Sequence, residues 1–377
     1  MLASVAAKPY TYLGRMKRLH ELDGLRAAAI LSVLLIHFSP HSNAFLFGWV
    51  GVDLFFVISG YLITTILLGL RDHPRPYRVF YWRRSIRILP AYYVVLAGVA
   101  ILVALKHEPS SRATWMSPIF FLPAINHGIS FHLIAQRLAG APFDFSHQAF
   151  ARPLLSRFVY GIGVYWSLAV EELFYLLWAP VVLKAPRRWL LTIALVPILI
   201  CPLLRGLTHT SSWGEGIGFL TRFDTLAVGA LLALLLSARP ETGWKVLLTP
   251  IPVLLILLAS LCVKCGMLRG QEVRSYELFA IVGYTFVAML FGCIVGMCVR
   301  WTGSPALAIL RFGPFVYLGV VSYAVYLIHC FVYVGVAKLV SGDVVRAVVA
   351  TATTIAIAAA SWKWFEGPIL RLRNLVT

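Results

Sequence analysis

The sequence predicts an all-α polytopic membrane protein with about ten transmembrane helices and both termini in the cytoplasm. Three observations predict it. The chain has 377 residues, of which 60% are hydrophobic and 13% charged, with a mean hydropathy of +0.84. A soluble globular chain carries about 45–50% apolar and about 25% charged residues, so a soluble enzyme, a disordered chain and a coiled coil are excluded. Apolar stretches of spanning length recur, and Lys and Arg cluster in alternate connections between them.

The stretches lie near residues 27–46, 48–70, 88–105, 162–183, 188–204, 219–237, 246–263, 277–299, 313–339 and 344–365. Lipid supplies no hydrogen-bond partners, so each must be a helix or part of a closed barrel. The runs are continuous and not alternating, which selects helices. With the N-terminus inside, the larger part of the 33 Lys and Arg falls in cytoplasmic segments, notably 1–26, 71–87 and 184–188. The net charge of +18 is thus topological, and no nucleic-acid partner is needed to explain it. The whole chain, 1–377, reads as one membrane domain with a basic segment at 1–20. Residues 106–161 read as a long extracytoplasmic loop. Within it, WMSPIFFLPAIN at 115–126 is short and broken by Pro118 and Pro123, which suits a re-entrant or surface helix. An eleventh span there would invert all that follows, and the basic KAPRR at 184–188 argues against that inversion. Six cysteines lie in or beside apolar runs. The one CxxC, Cys262 and Cys265, has no second pair, so packing thiols are expected in preference to a zinc or redox site.

Ionisable groups inside spans cost roughly 2.5–3.5 kcal/mol each and mark cavities. In the first span Arg26 and His37 are eleven residues apart. They share a helix face, about 16–17 Å apart along the axis. A snorkelling arginine and a hydrogen-bonded core histidine would account for either alone; paired on one face they suit a proton-transfer group above a cation. Arg84 and Arg87 are three apart at a helix start, where planar guanidinium forks suit phosphate oxygens. Asp53 opens the second span. Glu171 and Glu172 are adjacent in the fourth, and Glu171, with Ser167 four residues before it, is the one expected to point inward. Arg222 and Asp224 are two apart, so each needs a partner on another helix. Ser322, Tyr326 and His329 form a polar stripe. By depth, the acids and histidines should lie in the outer or middle bilayer and Arg26, Arg84 and Arg87 at its inner edge.

Two such layers suit a donor with phosphates at one end and a reactive group on a long arm, as in a coenzyme A thioester. His37 would take the proton of an attacking hydroxyl. A carboxylate, with Glu171 and Asp53 the candidates, would hold the imidazole tautomer. At this point the sequence resembles acyltransferase family 3, integral-membrane enzymes that O-acylate bacterial surface carbohydrates and some other acceptors. The likeness runs through Arg26-x10-His37, GVDLFFVISGYLIT, the R-x-x-R of Arg84 and Arg87, WSLAVEELFY, RFDTLAVGALLA, SYAVYLIH and FEGP around Glu366. R-x-x-R alone is weak; all of these in order over nearly the whole chain are specific.

The resemblance implies a cytoplasmic acyl-coenzyme A, acetyl by default, as co-substrate and an extracytoplasmic or lipid-linked sugar hydroxyl as acceptor. It implies His37 as the essential catalytic residue, either general base or transient acyl carrier, and the arginines as donor-binding groups. On the acceptor side Trp166, Arg222, Asp224, Tyr326 and His329 are the candidate substrate-binding residues. No metal and no permanently bound cofactor are expected. Membrane lipids and polysaccharide-assembly proteins are the other candidate partners, and a bacterial inner membrane the expected location. Many relatives append a soluble hydrolase-like domain; this chain is expected to be the membrane core alone. A multi-span transporter or flippase and a non-catalytic assembly subunit are the rival classes. Binding of acetyl-coenzyme A with release of free thiol separates the enzyme from both.

Overall fold

The computed structural model describes residues 18–38, 47–105, 163–208, 220–239, 244–264 and 278–375. Among them are ten long helices and no strand: α1 (His20–Phe38), α2 (Val50–Leu70), α3 (Pro76–Leu105), α4 (Trp166–Lys184), α5 (Arg187–Thr208), α6 (Phe223–Ala238), α7 (Pro250–Lys264), α8 (Tyr284–Arg300), α9 (Gly313–Val336) and α10 (Asp343–Ser361). Each overlaps one of the ten expected stretches, and residues 39–46 of the first stretch lie outside the described residues. Nine helical segments among the described residues are long and apolar enough to cross a membrane. The tenth, α1, carries Glu21, Asp23 and Arg26 in its first two turns and is apolar only beyond them. The expected loop before the third span is instead helix from Pro76 on, so Arg84 and Arg87 stand on a continuous α3 of 30 residues. Residues 106–161, with the 115–126 piece, the first seventeen residues and Cys265 lie outside the described residues.

α2 is the central element, packed against α1, α4, α6 and α8. Its tightest partner is α6, and the sequence reason is a glycine on each helix. A Cβ on Gly60 would overlap the Leu226 carbonyl oxygen, and a Cβ on Gly229 that of Val57. Close backbone approach through small residues is how helices associate where lipid removes the hydrophobic driving force. α1 and α9 form a second seam, with Gly319 against the Asp23 carbonyl at one end and His329 against His37 at the other. α5, α7 and α10 are peripheral and show Leu199, Leu203, Ile256 and Val348 on the outer surface, the expected lipid-facing side chains.

α3 and α4 are antiparallel. Tyr81 of α3 donates to the Leu176 carbonyl of α4 at 3.4 Å, while the rings of Tyr92, further along α3, and Tyr165, just before α4, are 5.4 Å apart. The segment between them therefore leaves and returns on one side of the membrane, which excludes the inversion that an eleventh span would cause.

Polar contacts fix the cytoplasmic ends. Arg71 donates to the Val182 and Ala185 carbonyls at 2.7 and 2.8 Å, closing the C-terminus of α4. Glu21 accepts from the Gly303 amide at 2.8 Å, Thr302 at 3.0 Å and Arg311 at 3.1 Å. Burial pushes the Glu21 carboxyl up, but these hydrogen bonds together outweigh it and hold the group at about 2. It therefore stays anionic and ties α1 to the α8–α9 connection.

Candidate active site

The outer end of the α1–α9 seam holds two histidines. His37 is half-buried, on the last turn of α1. Its Nδ1–H donates to the Val33 carbonyl, one turn back, at 2.8 Å. A carbonyl can only accept, so Nδ1 carries the hydrogen and the basic lone pair is on Nε2. His329 of α9 is fully buried. Its Nδ1–H donates to the Tyr326 carbonyl at 2.7 Å, its Nε2 is 3.3 Å from Nδ1 of His37, and the ring centroids are 4.9 Å apart. The Cys330 sulfur also lies 3.3 Å from His329 Nε2. Around them Phe38 stacks on Tyr333. The Tyr326 hydroxyl donates to the Val164 carbonyl at 2.5 Å and pairs with Ser167 at 2.6 Å. His329 thus meets His37, and Tyr326, its ring centroid 5.6 Å from that of His329, ties the pair to the start of α4. Trp166 turns to α2, edge-on to Phe56.

The place on His37 Nδ1 expected for a carboxylate is taken by Val33, because a helical histidine reaches its own i−4 carbonyl without any charge having to be desolvated. Glu171 and Asp53 are engaged elsewhere. Glu171 accepts from the Tyr175 hydroxyl at 3.0 Å, and Tyr175 in turn is hydrogen-bonded to Ser59 of α2. The Arg84 guanidinium lies 4.3 Å over the Tyr175 ring. Arg26, Arg84 and Arg87 are within electrostatic range of one another, with Glu171, Glu172, Asp23 and Glu366 around them. Arg26 pairs with Asp23 at 3.1 Å. Glu366 is presented by the π-helical turn Trp362–Glu366 that ends α10 and is held by Ser361 at 2.8 Å. Among the described residues, Nε of Arg83, Nε of Arg84 and Oε1 of Glu172 are buried without a hydrogen-bond partner. A buried orphan donor in a group of guanidiniums is what an anionic ligand would satisfy.

Asp53, Arg222 and Asp224 form a separate assembly at the outer ends of α2, α5, α6 and α8. Arg222, on the 3₁₀ turn Leu220–Arg222, is ion-paired to Asp53 and lies 3.9 Å over the Tyr284 ring. Asp224 pairs with Arg205 of α5 at 2.8 Å and accepts from Thr285 of α8 at 2.5 Å. Arg205 also donates to the Thr221 and Ile281 carbonyls. The expectation that Arg222 and Asp224 find partners on other helices is met. The expected sorting by sign is not. Acids accompany the arginines of the inner group, and Arg205 and Arg222 accompany the outer acids, because a buried charge without a counter-charge is too costly to keep.

Sequence reasoning missed Tyr175, Arg205 and the siting of Glu366. Tyr175 had a signal, lying four residues after Glu171 on the same face. So did Arg205, a lone cation late in an apolar helix, which demands a partner. Glu366 had none, because its position depends on the π turn.

A family model described as an acyltransferase domain matches residues 19–363. Among curated proteins the chain is similar to the peptidoglycan O-acetyltransferase OatA of Listeria monocytogenes, 27% identical over 381 residues, covering 94% of this chain and 56% of that protein. It is also similar to the O-acetyltransferase OatA of Staphylococcus aureus, 29% identical over 228 residues, covering 56% of this chain and 34% of that one. The chain thus spans about half the length of the first relative and a third of the second. No solved structure matches it.

Proposed function

The chain belongs to acyltransferase family 3, and from that membership we propose that it moves an acetyl group from cytoplasmic acetyl-coenzyme A to a carbohydrate hydroxyl on the far side of a bacterial plasma membrane. The relatives' names make peptidoglycan the first acceptor to test. The observation that carries the reading is the fixed tautomer of His37, with Nδ1 on Val33 and the lone pair on Nε2, on the same helix as Arg26. By helical rise the two levels are about 16–17 Å apart, a gap suited to a donor held by its phosphates and reacting at the end of its arm.

In this mechanism Arg26, Arg84 and Arg87 hold the donor phosphates, and the orphan Nε of Arg84 supports that role. The acceptor hydroxyl gives its proton to His37 Nε2 as its oxygen attacks the thioester carbonyl. The C–S bond then breaks, and the imidazolium returns the proton to the departing thiolate. Ester and free coenzyme A are the products, and His37 ends as it began.

The test uses the full chain in lipid nanodiscs. Wild type should bind acetyl-coenzyme A and release thiol in the presence of a glycan acceptor. His37→Ala should bind the donor and transfer nothing. Arg84→Ala with Arg87→Ala should weaken donor binding by an order of magnitude or more. Full transfer by His37→Ala overturns the assignment of the base, and undiminished donor affinity in the arginine pair overturns the donor site. An acyl group trapped on His37 from donor alone would replace direct transfer with a covalent route.

A further inference from the structure

His37 has a second acceptor poised on the nitrogen that does no chemistry. His329 Nδ1–H is committed to the Tyr326 carbonyl, so the lone pair of that ring is on Nε2, directed at the space shared by His37 Nδ1 and the Cys330 thiol, each 3.3 Å away. In the resting protein His37 Nδ1–H has the shorter contact to Val33 at 2.8 Å, and the thiol, a weak donor, can take the imidazole lone pair. Once His37 is protonated on Nε2 its Nδ1–H becomes a charged donor. Hydrogen bonds from charged donors are roughly twice as strong as neutral ones. The thiol then yields, and the His329 lone pair stabilises the imidazolium.

We propose that His329 is the positioning residue for His37, sharing with the Val33 carbonyl the Nδ1 side that a carboxylate occupies in a Ser–His–Asp triad. The inference rests on the reading of His37 as the base and replaces the expectation that His329 contacts the acceptor. A neutral imidazole has a physical advantage at this depth. It stabilises a transient cation without a second permanent charge to desolvate, whereas Asp53 and Asp224 of the outer group each hold an arginine. Complete burial of His329 at 0% exposure also keeps it from contact with an incoming sugar.

The test separates the two ring nitrogens. In His329→Asn the amide reaches only the Nδ1 position, keeping a partner for the Tyr326 carbonyl and losing the acceptor for His37. In His329→Gln the amide reaches the Nε2 position and restores an acceptor. Thiol release from acetyl-coenzyme A, with chitotetraose as acceptor and protein in nanodiscs, should show kcat lowered by about 10–100-fold in His329→Asn, the worth of one hydrogen bond to a charged group. The KM for acetyl-coenzyme A should be unchanged, and His329→Gln should recover most of the loss. Wild-type kcat in His329→Asn, or equal losses in the two variants, overturns the proposal while leaving His37 as the base. Activity in His37→Ala itself overturns the parent reading.

Discussion

At the scale of single residues, the buried charges divide into an outer group held by cross-helix ion pairs and an inner group of clustered arginines, and both keep orphan atoms, Asp53 Oδ2 and Arg222 Nε in the one and Arg84 Nε and Glu172 Oε1 in the other. The outer assembly of Asp53, Arg222, Asp224 and Arg205 joins four helices, and its ion pairs are reinforced by Thr225, Thr285 and the Thr221 and Ile281 carbonyls. Removing one partner of a buried pair strands the other, at a cost of about 3–5 kcal/mol. Asp53→Asn should therefore lower the thermal unfolding midpoint of the detergent-solubilised protein sharply, whereas His37→Ala should leave it near wild type. An Asp53→Asn protein of unchanged stability that has lost transfer would restore Asp53 to the chemistry. These residues show where sequence legibility ends. The 100° period states that Arg222 and Asp224 point apart and need other helices. It does not state which helices are neighbours, so Asp53 read as a candidate partner of the His37 imidazole and Arg222 as a sugar ligand. The placement of His37 on α1 and of Arg84 and Arg87 on α3 was legible because it rests on one helix at a time.

At the scale of elements, close approach is written in glycines, but only some of them. Gly60 and Gly229 sit where α2 and α6 touch backbone to backbone, and the buried Phe56, Ile63, Leu226 and Ala230 pack beside that contact. Adding a methyl at such a point forces the helices apart, at a cost of about 1–3 kcal/mol. Gly98 of α3 has open space where its Cβ would be. There alanine relieves the entropic cost of a helical glycine, a gain of about 0.5–1 kcal/mol. Gly60→Ala should consequently depress the unfolding midpoint and Gly98→Ala should hold or raise it; equal effects would mean that the α2–α6 contact does not limit stability. Both glycines occur inside apolar runs, so the sequence alone ranks them alike. Helix existence was legible from run length, whereas the start of α3 at Pro76 was masked by arginines. Those arginines read as a loop because the positive-inside pattern and an amphipathic helical extension look the same in composition.

At the scale of the whole molecule, the arginine group and the histidine pair can serve one reaction only if they open toward opposite sides. That depends on the direction of α1 and α9. The two helices are parallel, as Asp23 meets Gly319 and His37 meets His329, so their charged beginnings share one face and their histidines approach the other. Lys and Arg are concentrated on the side of the beginnings, which makes that side cytoplasmic. Because α3 and α4 are antiparallel, this assignment does not depend on how residues 106–161 fold. Leu339, just beyond α9, and Leu375, beyond α10, are strongly exposed, at 87% and 72%, and the single crossing of α10 separates them. In a chain whose native cysteines are replaced, Leu339→Cys should react with a membrane-impermeant maleimide in intact spheroplasts, and Leu375→Cys only after lysis. The reverse pattern would put the guanidiniums outside, beyond reach of a cytosolic thioester. Labelling of both in intact spheroplasts would remove α10 as a span. Either result would break the link between donor face and histidine face on which transfer across the bilayer depends.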